Sequence, residues 1–265
     1  MTIKKEIQKI MKGVRKGHLP SSEKVVKEAF SELEYTSDKI TSEAAEEKFE
    51  EILHEVWVKT LEILEKYESN TYTTRITSHL ISEYPKIFNN SENIATRDNF
   101  RKGVIHLLQN WYPYLREIFL SISNSRKVRG GRDFELHFGG MLDLIGIKYQ
   151  KKKRAYRVDF MIPSDDVFKS NPTTAAIASA KGTLRERWRE VVEELYQMRS
   201  PNIFLITADS NVTKGQIEGI CKNHRIHLVV WNKVKEKYKD EPLVISFNQW
   251  AQKRLPALKQ FWPPN

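Results

Sequence analysis

The second half of the chain sets the fold. From about Tyr156 onward come five short apolar runs, most of them β-branched or aromatic: YRVDFMI, AAIASAK, NIFLITA, IHLVVW and PLVISF. Runs of this length bounded by polar or turn-forming residues predict strands. Helical patterns over residues 183–198 and 212–223 separate some of them. Strands alternating with helices predict an α/β sheet covered on both faces. No run approaches the roughly 18 apolar residues of a membrane span.

The first third reads differently. Residues 43–66 place Phe49, Ile52, Leu53, Val56, Thr60 and Leu64 at helical spacing, which predicts an amphipathic helix. Residues 99–120 carry the same pattern, with a break expected at Pro113, and Asn89, Asn90 and Ser91 predict a loop. The plan is a helical N-terminal region over residues 1–120 and an α/β core over 121–265. No linker rich in Pro, Gly or Ser divides them, so one compact unit is expected.

Cys221 is the only cysteine, which rules out an internal disulfide and a cysteine zinc cluster. The opening MTIKKEIQKIMKG has charges through its apolar part and is no secretory signal, so the expected location is cytoplasmic. The formal net charge of +10 is unevenly placed. Residues 1–70 hold 12 basic and 15 acidic residues, leaving 32 basic against 19 acidic in the remainder. A basic body of this kind suits a polyanion, nucleic acid foremost, although solubility alone also accounts for the charge.

Two acid–lysine features carry chemistry. In YRVDFMI the two-residue period puts Arg157, Asp159 and Met161 on one face. An aspartate in an apolar strand is costly to bury as an ion without a partner. It is either a solvated or Arg157-paired strand end, or a ligand. In AAIASAK, Ile177, Ser179 and Lys181 share a face. If the two strands are neighbours, Asp159 and Lys181 converge. A carboxylate can hold a hard cation, and a lysine can orient water and stabilise charge on a phosphate. A structural salt bridge is the plainer alternative.

The following helix adds Glu194. Leu184, Trp188, Val191 and Leu195 form its expected buried stripe, with Arg187 and Glu194 on a line beside it. Thr183 and Glu186 fit a capping box, which places Arg185 and Glu186 on the first turn. Upstream, Arg126, Lys127, Arg129 and Arg132 surround a predicted Gly130–Gly131 turn, with Glu135 beyond it in an apolar helical pattern. That stretch is either a solvated basic loop or a phosphate-contacting one with a carboxylate behind it.

Together these residues resemble a known family. The Val158–Asp159 pair, Ser179-x-Lys181, the T-L-R-E-R-W stretch, Glu194 and RGGRDFELHF look like type II restriction endonucleases of the EcoRII and NgoMIV group. These belong to the PD-(D/E)XK nuclease superfamily and read sites with CCGG or interrupted CC-GG cores. The resemblance covers residues 125–200. It departs from the parent motif at Val158, where proline is usual, and at Ser179, where an acid is usual. In this group the missing acid comes from the following helix, where Glu194 stands.

The resemblance implies a restriction-endonuclease-like core, a mixed β-sheet flanked by helices. It implies Asp159 and Glu194 as Mg²⁺ ligands, Lys181 as the catalytic lysine and Glu135 as a further active-site carboxylate. Glu193 and Glu190 come next if the helical phase differs. Arg185, Glu186 and Arg187 match the family's base-reading triplet. Arginine pairs bidentately with guanine and glutamate accepts from cytosine N4, so the chemistry suits G·C pairs. Arg126, Lys127, Arg129 and Arg132 are then DNA-backbone contacts.

The implied partner is double-stranded DNA, cut by a homodimer whose N-terminal region provides dimerisation and further DNA contacts. A cognate DNA methyltransferase acts on the same site without binding the chain. A structure-specific repair or recombination nuclease would share the acids and lysine but needs no base-reading triplet. A non-catalytic DNA-binding module needs no complete acid–lysine set. Relatives that flip a base stack it on an aromatic ring; Trp57, Phe100 and Trp111 all sit in helical apolar patterns and read as core, so none is assigned that role.

Overall fold

A computed structural model describes residues 3–83, 97–151, 158–185 and 188–263. The chain forms two compact units, one of residues 1–25 and 61–129, the other of residues 26–60 and 130–265.

The first unit is helical. Helix α1 (Ile3–His18) contributes Ile7 and Met11 to a small core with Ile118, flanked by Tyr72, Tyr114, Leu115 and Ile122. Tyr72 comes from α4 (Phe49–Glu83) and Tyr114, Leu115, Ile118 and Ile122 from α5 (Arg97–Leu144), of which the stretches after Thr60 and before Gly130 belong here. The break expected at Pro113 does not occur, and α5 runs through it. Proline removes one ladder bond and clashes with the preceding turn, costing about 3 kcal/mol. Packing of Tyr114, Leu115 and Ile118 against Ile7 and Met11 offsets that.

The second unit is the α/β part. Strands β1 (Gln150–Lys151), β2 (Phe160–Ile162), β3 (Ala176–Lys181), β4 (Ile203–Thr207), β5 (His227–Val230) and β6 (Val244–Ser246) form one sheet in sequence order. β1 and β2 pair antiparallel, as do β2 and β3, whereas β3 to β6 are parallel. This is the expected mixed sheet flanked by helices, and four of the five predicted runs became strands within about a residue of each end. YRVDFMI is strand only from Phe160, and residues 152–157 lie outside the described residues.

Alternation gives the sheet two buried faces. Ile177, Leu205, Leu228 and Val244 pack with Leu184, Val192, Leu195, Ile217 and Ile220. Those partners come from α7 (Trp188–Tyr196), from α8 (Lys214–Ile217) with its continuing π turn Glu218–Asn223, and from the loop before α7. The opposite face carries Ala176, Ala178 and Ala180, small enough to admit aromatic rings beside them. Phe204 meets Trp250 edge-on, and Phe138 meets both Phe160 and Trp250 at 5.2 Å between centroids. Phe49, Ile52, Leu53, Val56 and Thr60 are all buried, as their spacing predicts. The short helices α2 (Ser22–Glu32), α3 (Ser42–Glu47), α6 (Asp165–Ser170), α9 (Asn232–Lys237) and the three joined segments of α10 (Phe247–Gln249, Trp250–Arg254, Leu255–Lys259) complete the described elements.

Two local expectations fail. Gly130 and Gly131 form no turn, because both lie inside α5 and neither has a positive φ. Each glycine costs about 1 kcal/mol against alanine in a helix, and burial of Phe134, Phe138 and Met141 on the same helix carries it through. Helix α7 begins at Trp188, so Arg185, expected on its first turn, precedes it, while Glu186, one half of the expected capping box, lies outside the described residues. The reason is local: the Leu184 N–H donates to Asp209 Oδ2 and its C=O accepts from Gln216 Nε2, so side chains take the groups that a helix would use. The predicted loop at Asn89–Ser91 lies outside the described residues.

Candidate active site

Asp159 stands one residue before β2, where the antiparallel pairing with β3 brings it to the carboxyl end of that strand. Its backbone N–H donates to Ala178 O at 3.1 Å, continuing the ladder by one bond. Its side chain is buried, and Oδ2 accepts from the Ala180 N–H at 3.0 Å and from Lys181 Nζ at 2.6 Å. So the aspartate is buried and bonded rather than solvated; Arg157, its other expected partner, lies outside the described residues. Among the described residues nothing bonds Oδ1.

Lys181 is held from a second side. Glu135 Oε1 lies 3.6 Å from its Nζ, and both side chains keep partial exposure. The segment that carries Glu135 is close: the Gly130 carbonyl and Phe134 Cβ lie within van der Waals distance of where a Gly182 side chain would start. Two carboxylates thus converge on one ammonium at the open end of β3. β3, the residue leading into β2 and helix α5 supply the three groups, so their positions follow from the sheet and from α5.

Ser179 shares the strand face of Lys181, two residues earlier. It is buried, and its Oγ has no hydrogen-bond partner among the described residues. Helix α7 packs on β3 and β4 and covers this face. The buried stripe of α7 is centred between Val192 and Leu195, with Trp188 and Val191 only half-buried, so its phase is turned toward Val192 relative to the expected stripe. Of the three acids on that helix, Glu194 is half-buried while Glu190 and Glu193 are exposed. Among the described residues no cluster of three or more metal-capable side chains occurs. A hard cation that keeps most of its waters needs only one or two carboxylates, and the open oxygen of Asp159 fits that requirement.

The remaining predicted residues divide. Arg185 is exposed, just ahead of α7, while Glu186 and Arg187 lie outside the described residues. Arg126 donates through Nε at 2.6 Å to Glu68, a buried carboxylate, and that hydrogen bond raises the arginine's pKa. Arg129 donates to the Pro20 carbonyl at 3.0 Å. Lys127 and Arg132 are exposed. Trp57 is half-buried and stacks on Trp231, with Phe134 also adjacent. The side chains of Phe100 and Trp111 lie outside the described residues.

Sequence reading missed the Asp209 and Gln216 contacts to Leu184. Asp209 Oδ1 also accepts from the Asn211 N–H at 2.9 Å, and Gln216 Oε1 accepts from the Thr213 N–H at 2.8 Å. The only available signal was the T-x-x-Q pattern of Thr213 and Gln216, which the structure forms as a capping box.

Residues 88–250 match a family model described as EcoRII C terminal. A curated relative, the type II restriction enzyme SsoII of Shigella sonnei, is 27% identical over 202 residues, which is 72% of this chain. The match spans 63% of that relative's length, less than two thirds. Among solved structures, metal-depleted Ecl18kI in complex with uncleaved DNA aligns with a TM-score of 0.83 at 24% identity, covering all of this chain and 87% of that one. The restriction endonuclease PspGI–substrate DNA complex aligns with a TM-score of 0.61 at 20% identity, covering 92% and 93%. The last two likenesses bear on the fold.

Proposed function

The chain belongs to the EcoRII C-terminal family, and from that premise we propose that it is a type II restriction endonuclease cleaving double-stranded DNA with Mg²⁺ at a palindromic site with a CCGG or interrupted CC-GG core. The observation that carries the reading is Lys181 held between Asp159 and Glu135 at the open end of β3.

In this reading Asp159 and Glu194 hold the cation. Bound there, Mg²⁺ would supply a Lewis acid for the scissile phosphate and make water a better nucleophile. Lys181 is positioned to donate hydrogen bonds to the attacking water or to a non-bridging phosphate oxygen, stabilising charge as it develops. Asp159 fixes the direction of that ammonium, and Glu135 steadies it from the second side. Water adds to phosphorus as the 3′ oxygen leaves, giving 5′-phosphate and 3′-hydroxyl ends.

Arg185, Glu186 and Arg187 read the G·C pairs, and a twofold dimer reads the palindromic halves. Arg126, Lys127, Arg129 and Arg132 are assigned to the DNA backbone, Lys127 foremost because Arg126 and Arg129 already have protein partners. A cytoplasmic location, and a methyltransferase acting on the same site, go with this reading. Among the described residues no helix is long and apolar enough to cross a membrane.

Digestion of a sequenced plasmid with Mg²⁺, followed by run-off sequencing, tests the proposal. Discrete fragments whose ends share one palindromic G·C-centred sequence are expected. A smear, or intact plasmid over a range of enzyme and salt, overturns it.

A further inference from the structure

The segment Thr183–Leu184–Arg185 joins the chemistry of Lys181 to the base-reading residues, and it is irregular chain. Such a segment is normally the least precise part of a site. Here both backbone polar groups of Leu184 are taken by side chains from elsewhere. Asp209 Oδ2 accepts its N–H at 2.8 Å, and Gln216 Nε2 donates to its C=O at 2.5 Å. The Leu184 side chain is itself buried in the sheet's core. Its two flanking peptide planes are therefore fixed, and with them the direction in which Arg185 leaves the backbone.

The two clasping residues are themselves held. Thr207 Oγ1 accepts from the Asp209 N–H at 3.1 Å, and the second carboxylate oxygen accepts from Asn211 N–H. The two N–H donors reach different oxygens of Asp209, and an amide in its place would set an NH₂ donor against one of them. Gln216 accepts from the Thr213 N–H through Oε1, which leaves its Nε2 to reach Leu184. So one residue just past β4 and one from α8 grip the two peptide units that flank Leu184.

Resting on the base-reading role proposed above, we infer that Asp209 and Gln216 are positioning residues for site specificity: they hold Leu184 so that Arg185 meets its base pair. They touch no substrate. They act through the Leu184 backbone.

Gln216→Glu isolates the effect. The new carboxylate keeps the acceptor that the capping box needs, but it puts an acceptor where Leu184 O requires a donor. Asp209→Asn is the second variant, offering one acceptor to two N–H groups. Both variants, with Arg185→Ala beside them, are assayed with a duplex bearing the plasmid-mapped site and with duplexes in which one G·C pair becomes A·T. The readout is the ratio of kcat/KM between mapped and altered duplexes, together with the melting temperature of each variant.

Gln216→Glu and Asp209→Asn are expected to lower that ratio on the order of tenfold, the scale of one base contact, with melting close to the parent. A folded Gln216→Glu or Asp209→Asn protein that keeps the ratio overturns the inference. So does an equal loss on both duplexes, which marks a merely structural role. If Arg185→Ala lowers the ratio while the clasp variants keep it, the clasp inference alone falls. If Arg185→Ala keeps the ratio too, the base-reading assignment falls and takes the inference with it.

Discussion

Lys181 is the one side chain on which both neighbouring acids converge, and removing it isolates the chemical step. Lys181→Ala leaves Asp159 and Glu135 facing each other without their shared cation. It is expected to lower single-turnover cleavage by roughly 10²–10³-fold, the scale of losing one stabilising donor, while gel-shift affinity for the mapped duplex stays near the parent's. The three acids of α7 form a matched set for testing the proposed second metal ligand. Glu194→Ala is expected to lose cleavage that added Mg²⁺ does not restore, and the exposed Glu190→Ala and Glu193→Ala to cut like the parent. Full activity in Glu194→Ala would remove it from the metal site. At this scale the sequence was legible where a pattern is local. Alternation and strand length set Asp159 and Lys181 up to converge if their strands are neighbours, and the β2–β3 pairing makes them so. Asp209 escaped because its bond runs from a side chain to a backbone N–H 25 residues earlier, and backbone partners leave no mark on the residues they hold.

Among the elements, α4 and α5 meet inside the second unit through His137, whose Nε2 lies 2.9 Å from Thr60 Oγ1. Burial pushes the imidazole down to about 3 from its ordinary value, so it is neutral in the folded protein. The unfolded chain takes up a proton as pH falls below about 6.5, whereas the folded one does not until near 3. The stability this group contributes is complete above the unfolded value and declines as pH falls, by about 1.4 kcal/mol per pH unit. His137→Gln cannot titrate. Urea unfolding of the two proteins should show the parent's advantage shrinking by roughly 2–3 kcal/mol between pH 7 and pH 4.5. A gap that does not move with pH would contradict the assignment. The elements themselves were read well wherever one face is buried, as along Phe49 to Thr60. They were misread at Pro113, at Gly130–Gly131 and at Arg185. Local propensity spoke for a break or turn at the first two and a helix start at the third. Packing of neighbouring residues overrode it in α5, and a tertiary hydrogen bond overrode it before α7.

For the whole molecule, the charge is the property most open to test. A net charge of +10 on 265 residues, concentrated after residue 70, suits a duplex. Each phosphate neutralised releases counterions, so log K falls with log salt by about 0.9 per contact. In the proposed dimer Lys127→Ala removes two such contacts, and the salt slope should flatten by about 2. Affinity should fall alike for mapped and unrelated duplexes. An unchanged slope would take Lys127 off the backbone.

Lys181 and Arg185 are four positions apart on one covalent stretch. A chain spans at most about 3.6 Å per residue, so their Cα atoms lie within about 14 Å of each other. In the proposed reading the bond to be cut and the base pair to be read are offset by that span plus the reach of the two side chains. Leu184 between them is anchored by its side chain and by both of its backbone groups. The offset between scission and reading is therefore a built-in ruler. Drift in this lineage, or redesign of it, can exchange the letters that are read, but inserting a residue between Lys181 and Arg185 would tear the ruler rather than lengthen it.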